Sequence, residues 1–170
     1  SPQQFIYFQG AGFDMSFLSF LEVDVEGNVN VSKLGKKPYL TAGCGGFVDI
    51  TAHARKVVFS GWFEAGAQIE LTDEGLKVVT PGKFTKMVEA VEHVTFSGER
   101  AREQGQDVLY VTERCVMRLG DSGLVAIEIM PGIDPQRDIV AASSGRVSVA
   151  PGAITLPLSL LRDAPMGWGA

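Results

Sequence analysis

Histidine and cysteine are almost missing from this sequence, with two of each in 170 residues. His53 and His93 stand apart, with no cysteine or carboxylate at ligand spacing, so the usual zinc arrangements are excluded. Cys44 and Cys115 lie far from one another, which argues against a disulfide scaffold and fits a reducing, cytoplasmic compartment. Basic charge is scarce too: 15 Lys and Arg against 20 Asp and Glu leave a net charge of −5. Nothing in that balance grips a phosphate backbone, so no nucleic-acid partner is expected. No apolar run reaches membrane-spanning length, and the start lacks the basic and apolar stretches of a signal peptide. A P-loop and a Gly-x-Ser-x-Gly elbow are likewise missing, which removes two large enzyme classes. The chain opens Ser1-Pro2 with no initiating methionine, and we expect a processed product or a piece of a longer protein.

What is present reads as a globular α/β chain. Hydrophobic residues make up 45% and charged residues 21%, both ordinary for a folded domain. We expect one domain over 1–170, with an extended tail from 143. From Phe13 to Val25 the residues alternate, with Phe13, Met15, Phe17, Ser19, Leu21, Val23 and Val25 on one face and Asp14, Glu22 and Asp24 on the other. That period favours a strand over a helix. Glu26-Gly27-Asn28 reads as a turn into a short strand at Val29-Asn30-Val31. A glycine-rich loop, Thr41 to Gly46, runs into a short helix from Phe47 to about Arg55 and a buried strand at Lys56 to Ser60. Gln68 to Thr72 and Leu76 to Thr80 flank a hairpin turn, as do Cys115 to Leu119 and Leu124 to Met130. Lys86 to Ser97 alternates as a strand, Gly98 to Gln106 reads as a solvated helix or turn, and Asp107 to Thr112 is a strong strand. Asp134 is a fair N-cap ahead of Pro135, opening a helix to about Ala142. The fold class is therefore a mixed β-sheet with flanking helices and two protruding hairpins.

Few residues carry chemistry. Gly43-Cys44-Gly45-Gly46 offers backbone N–H groups unshielded by side chains, suited to a thioester oxygen or a pyrophosphate, or else forms only a tight turn. Both readings stand on composition alone, and Gly10-Ala11-Gly12 invites the same pair. Cys44 reads as a small loop residue rather than a nucleophile, because no histidine is near it in sequence. Glu113-Arg114 reads as a surface ion pair rather than a catalytic one.

Five ordered phrases resemble the family I coenzyme A transferases, closest to the acetate, propionate and 3-oxoacid branch that carries both halves on one polypeptide. They are Glu26 to Ser32, Ala42 to Ile50, Lys56 to Gly61, Tyr110 to Val116 and Glu128 to Asp134, with Pro165-Met166-Gly167 as a further likeness near the end. The resemblance implies the C-terminal lobe of that fold. It also implies transfer of CoA from a short-chain acyl-CoA to a carboxylate through a glutamyl-CoA thioester, with CoA as substrate and no permanent cofactor. The family's nucleophile sits in a Glu-x-Gly context followed by a glycine-rich segment, a combination this sequence lacks, so no catalytic residue is expected in the chain, which is expected to be inactive by itself. The glutamate is expected upstream, in an N-terminal lobe or a partner subunit. The family's glycine loop falls on Gly43, Gly45 and Gly46, expected to line the thioester and pantetheine. Gly10, Gly12 and Asp14 match a phrase at the edge of the site, where the branch has a third glycine and leucine and this chain has Ala11 and Phe13. Lys33, Lys36 and Lys37 are read as a solvated basic loop rather than a partner for anionic CoA. A homo-oligomer is expected. The competing readings are a non-catalytic CoA-binding or assembly module and the small subunit of a two-chain enzyme.

Overall fold

Six stretches rich in β-branched and aromatic residues align into one mixed sheet whose spatial order follows the chain. The computed structural model describes residues 2–10, 12–35, 40–121 and 123–163. Lys36, Lys37, the turn residue Ser122 and the Pro165-Met166-Gly167 phrase lie outside them. The sheet strands are β1 (Phe13–Ser19), β2 (Ala54–Ser60), β3 (Asp107–Val111), β4 (Cys115–Gly120), β5 (Gly123–Ile129) and β6 (Val147–Thr155). β1, β2 and β3 are mutually parallel, β3, β4 and β5 antiparallel, and β5 and β6 parallel. The helices are α1 (Pro2–Gly10), α2 (Phe47–His53) and α3 (Gly98–Glu103). No helix among the described residues is long and apolar enough to cross a membrane.

The core lies on one face of the sheet. Val57 and Phe59 of β2, Val108 and Tyr110 of β3, Met117 of β4 and Leu124 and Ala126 of β5 point into it. Opposite them sit Phe20, Val23 and Val29 from the β1–β2 excursion, Phe63, Leu76, Met87 and Phe96 from the β2–β3 excursion, and Ile133 and Ile139. Phe59 is the hub, stacked on Tyr110 at 5.5 Å and on Phe47 at 5.7 Å, with Phe96 edge-on at 5.0 Å. The Tyr110 hydroxyl donates to the Gly27 carbonyl at 2.7 Å, so the turn at Gly27 (φ +77°) is held from beneath.

The mixed α/β class is as expected, and the differences have physical causes. The strand expected from Phe13 to Val25 breaks at Phe20, whose ring lies across Gly61; a Cβ on Gly61 would stand 2.9 Å from it. Glu22–Asp24 then joins a separate small sheet with Val29–Asn30 and Met87–Val88. Within β1 the buried residue is Ser16, while Met15 and Phe17 are 45% and 71% exposed. The core takes the even-numbered face of this strand. Beyond Met87–Val88 the stretch to Ser97 is no regular strand, because side chains and loops anchor it: Asp24 Oδ2 accepts from Val91 N, and Thr95 Oγ1 from Val31 N. The Gln68–Thr72 and Gly75–Thr80 hairpin forms as expected, whereas β4–β5 is part of the main sheet and does not protrude. Asp134 caps Pro135–Ala141 by accepting from Arg137 N at 2.7 Å, but the turn winds as a π-helix. Much of the tail is the strand β6, with a 3₁₀ turn at Leu158–Leu161.

The largest correction concerns Glu113-Arg114, which is no surface pair. The Arg114 side chain is 1% exposed and that of Glu113 10%. Arg114 Nε donates to Glu113 Oε1 at 3.2 Å, Nη2 to Glu64 Oε2, and Nη1 to the Asp138 carbonyl at 2.9 Å. Its guanidinium lies 4.9 Å from the Phe63 ring centroid. One cation thus joins the β3–β4 turn, the segment after β2 and the π-helix. Removing it strands two carboxylates in a dry site, which typically costs about 3–5 kcal/mol. Arg114→Met should therefore lower the urea unfolding midpoint sharply. Arg55→Met, at an ion pair with Asp14 whose side chains are 86% and 94% exposed, should leave the midpoint where it is. Equal midpoints for the two variants would contradict this assignment.

Candidate functional site

In open α/β sheets the crevice outside the carboxyl ends of parallel strands is where ligands gather. Here that edge belongs to β1, β2 and β3. Two features border it, one from each face of the sheet.

On the core side is the glycine loop. Phe47, the first residue of α2, stacks on Phe59, the last core residue of β2, which brings the loop beside that strand's carboxyl end. The loop is pinned at both ends, by Ala42 N donating to the Ser32 carbonyl at 2.8 Å and Phe47 N to the Cys44 carbonyl at 3.0 Å. Between them, the N–H groups of Gly43, Cys44, Gly45 and Gly46 bond to no acceptor among the described residues. Gly45 has φ +53° and Gly46 φ −82°, an alternation that turns successive N–H groups toward one concave side. The three glycines differ in kind. A Cβ on Gly43 or Gly45 would meet nothing within 4 Å, so Gly45 answers to its backbone angle, whereas a Cβ on Gly46 would stand 3.1 Å from the Phe8 ring.

Gly10, Gly12 and Asp14 sit elsewhere. Gly10 is the last residue of α1, a helix the sequence pattern did not suggest. Gly12 (φ +70°) abuts the carbonyl of His53, the last residue of α2, and Asp14 is exposed beside Arg55. The two glycine groups therefore mark opposite ends of α2, which at seven residues is about 10 Å long. α1 spans the gap, with Phe8 on Gly46 and Gln9 Nε2 donating to Asp49 Oδ1 at 3.0 Å. They border one helix pair.

On the other face, Ser60, Gly61, Trp62, Val111, Thr112 and Glu113 line an open cavity of about 310 Å³. Glu113 is fully engaged: Oε1 accepts from Arg114 and Oε2 from Phe63 N at 2.8 Å. Lys86 lies 5.6 Å from the Phe20 ring centroid, and partial burial lowers its pKa against the opposing pull of Glu113. Across the clip, burial alone would raise the Asp138 pKa, but hydrogen bonds from Arg137 at 2.8 Å and from Asp134 N bring it below the usual carboxylate value. Trp62, Thr112 and Lys86 were not singled out by sequence. Their signal was position, directly after a strand end for the first two.

The structure does bring one serine and one histidine together, Ser32 Oγ and His93 Nδ1 at 2.6 Å, with Thr95 Oγ1 at 3.4 Å from Ser32 Oγ. Among the described residues no carboxylate hydrogen-bonds the ring, and the contact ties the 93–95 loop to the end of Val29–Asn30. No group of three or more His, Cys, Asp or Glu among the described residues could hold a metal ion.

Comparison with known proteins agrees with the family phrases. No protein-family model matches the chain. It is 41% identical over 166 residues to acetate CoA-transferase YdiF of Escherichia coli K12, which spans 97% of this chain and 31% of the relative. It is 45% identical over 139 residues to caffeate CoA-transferase of Acetobacterium woodii, covering 80% of this chain and 26% of that one. The crystal structure of YdiF from E. coli O157:H7 superposes with a TM-score of 0.90 at 40% identity, over 98% of this chain and 32% of that one. Its thioester complex with CoA gives a TM-score of 0.89. Glutaconate CoA-transferase of Acidaminococcus fermentans shares the fold at a TM-score of 0.60 and 18% identity. The relatives are CoA-transferases, and the chain spans about a third of the length of YdiF.

The two thiols should report this environment directly. Cys44 is exposed, whereas burial pushes the Cys115 thiol up to about 12, moderated by the Thr112 hydroxyl. A disulfide reagent at neutral pH should titrate one thiol at once and the second only after denaturant. Cys115 also sets a pH dependence. Its contribution is intact below the unfolded thiol value of about 9 and lost as pH rises toward 12, at up to about 1.4 kcal/mol per pH unit. Cys115→Ala should flatten the fall in urea midpoint above pH 9, and an unchanged slope would contradict the assignment.

Proposed function

We propose that this chain is the glycine-loop lobe of an acyl-CoA:carboxylate CoA-transferase. The observation that carries the reading is the superposition of 98% of the chain on YdiF, a protein whose thioester complex with CoA has the same fold. The relatives transfer CoA to or from acetate and caffeate, by their names, and we infer a short-chain acyl donor such as acetyl-, propionyl- or acetoacetyl-CoA for this protein.

The chemistry begins with a glutamate carboxylate attacking the thioester carbonyl. The C–S bond breaks, CoA leaves as thiolate, and an acyl-glutamyl anhydride remains. The thiolate then attacks the glutamyl carbonyl, the acyl group departs as a free carboxylate, and a glutamyl-CoA thioester is left. An acceptor carboxylate runs the same steps in reverse and restores the glutamate. Each tetrahedral stage puts negative charge on an oxygen, and preorganised N–H donors stabilise it. The free amides of Gly43, Gly45 and Gly46 fill that role. Gly10, Gly12 and Asp14 border the acyl side of the site through the α1–α2 pair.

The nucleophile lies outside these residues. Both oxygens of Glu113 are held by buried donors, and Glu64 Oε2 accepts from both Arg114 and Gly82 N. Both oxygens of Glu113 and one of Glu64 are thereby engaged. The glutamate comes from another lobe or a partner subunit of a cytoplasmic homo-oligomer, and this chain forms one domain of that assembly.

Isolated, the chain should show no exchange of CoA between acetyl-CoA and labelled propionate. YdiF with its matched third replaced by this chain should show it. Turnover by the isolated chain would overturn the assignment of the nucleophile. An inactive but folded chimera that still binds CoA would favour a binding module instead.

A further inference from the structure

The glycine-loop amides that bond to no described acceptor are aimed by whatever holds the two ends of the loop. α2 holds the exit, through Phe47 N on the Cys44 carbonyl and Ile50 N on the Gly46 carbonyl at 2.9 Å. The entry rests on the segment at Ser32. Lys33–Leu34 pairs with Leu40–Thr41, and beyond that pair Ala42 N donates to the Ser32 carbonyl at 2.8 Å. Asn30, fully buried, commits its whole side-chain amide to this bend. Its Oδ1 accepts from Ser32 N at 3.0 Å and Lys33 N at 3.2 Å, while Nδ2 donates to the Lys33 carbonyl at 2.6 Å and to Glu22 Oε2 at 2.8 Å. Residues 30–33 therefore form one stiff unit. Bonds from the 91–95 segment fasten that unit in place: Glu92 N donates to Glu22 Oε2 at 3.3 Å, Glu92 Oε2 accepts from Gly35 N at 2.9 Å, and Thr95 Oγ1 accepts from Val31 N at 3.3 Å. Ser32 itself, the residue that receives the loop amide, is met by His93 Nδ1 at 2.6 Å and more weakly by Thr95 Oγ1 at 3.4 Å.

Resting on the proposed function, we propose that His93 is a positioning residue for the transfer reaction: through Ser32 it fixes where the glycine loop begins, and so where the amides of Gly43, Gly45 and Gly46 point. The short contact holds the Ser32 hydroxyl in one orientation and the bend in one position against the 91–95 segment. The bond from Ala42 N then has one direction. Donors to a tetrahedral oxyanion act only from the right place, and a misplacement of about 1 Å can cost about 100-fold in rate. Binding of a whole acyl-CoA draws on far more of the ligand than its thioester oxygen, so a loosened loop lowers turnover and leaves KM nearly unchanged. His93 is exposed, and its ring can be exchanged without opening the core.

Transfer is read in the YdiF chimera. His93→Phe, which keeps a ring and removes both nitrogens, should lower kcat roughly tenfold or more, with KM for acetyl-CoA within about twofold. His93→Asn, whose side-chain amide can meet the Ser32 hydroxyl, should recover most of the loss. Ser32→Ala should match His93→Phe, and the double variant should be no worse than either, because the two residues act as a unit. Undiminished kcat in His93→Phe, a loss confined to KM, no recovery in His93→Asn, or losses that multiply in the double variant would each overturn the proposal. Hydrogen exchange in the 170-residue chain reads the clamp apart from transfer. The Ala42 amide should exchange roughly tenfold faster in His93→Phe, with the amides of Val108 and Tyr110 in β3 unchanged. An unchanged rate at Ala42, or faster exchange at all three amides alike, would overturn the proposal. Faster exchange at Ala42 alone, with no CoA transfer even by the chimera that keeps His93, supports the clamp and removes the functional reading instead.

Discussion

Arg114 is the charge around which the chain's excursions are organised. A guanidinium with a side chain 1% exposed is tolerable only if its donors are met, and they are met by groups from three separate segments. Glu113 follows β3, Glu64 follows β2, and the Asp138 carbonyl belongs to the π-helix. The two carboxylates pass the constraint on, Glu113 to Phe63 N and Glu64 to Gly82 N. The carboxyl end of the parallel strands is therefore fixed from within, and the cavity at Trp62 inherits walls of fixed shape.

The sheet itself was largely legible. β-branched runs separated by glycine and aspartate turns marked β2 through β5 closely, because strand propensity and turn chemistry agreed there. Legibility failed where tertiary contacts outvoted local pattern. Alternation across Phe13 to Val25 pointed to one long strand, but the Phe20 ring over Gly61 ended it. α1 escaped notice because its apolar residues follow no helical stripe; Phe5, Ile6 and Tyr7 are all exposed. The burial of Glu113-Arg114 was invisible because adjacency along the chain says nothing about Glu64, fifty residues away in sequence.

The candidate site was legible by family phrases more than by physics. Composition left the glycine loop balanced between an anion cradle and a tight turn. The structure adds that four successive amides there bond to no described acceptor and that Gly45 requires a positive φ. It also separates Gly46, which glycine occupies for packing against Phe8, from Gly43, where no contact demands it. Gly10 and Gly12 shared a motif with that loop on paper but flank the far end of α2. Trp62 and Thr112 carry no sequence motif, and only the strand topology brings them to one edge.

The central claim is that these residues cradle a reaction whose nucleophile lies outside them. Mass spectrometry of the YdiF chimera after incubation with acetyl-CoA alone, without an acceptor acid, tests it most directly. The account predicts a single CoA adduct on a glutamate outside the 170 residues, with none on Glu64, Glu113 or any other carboxylate within them. An adduct on a glutamate of this chain would contradict it.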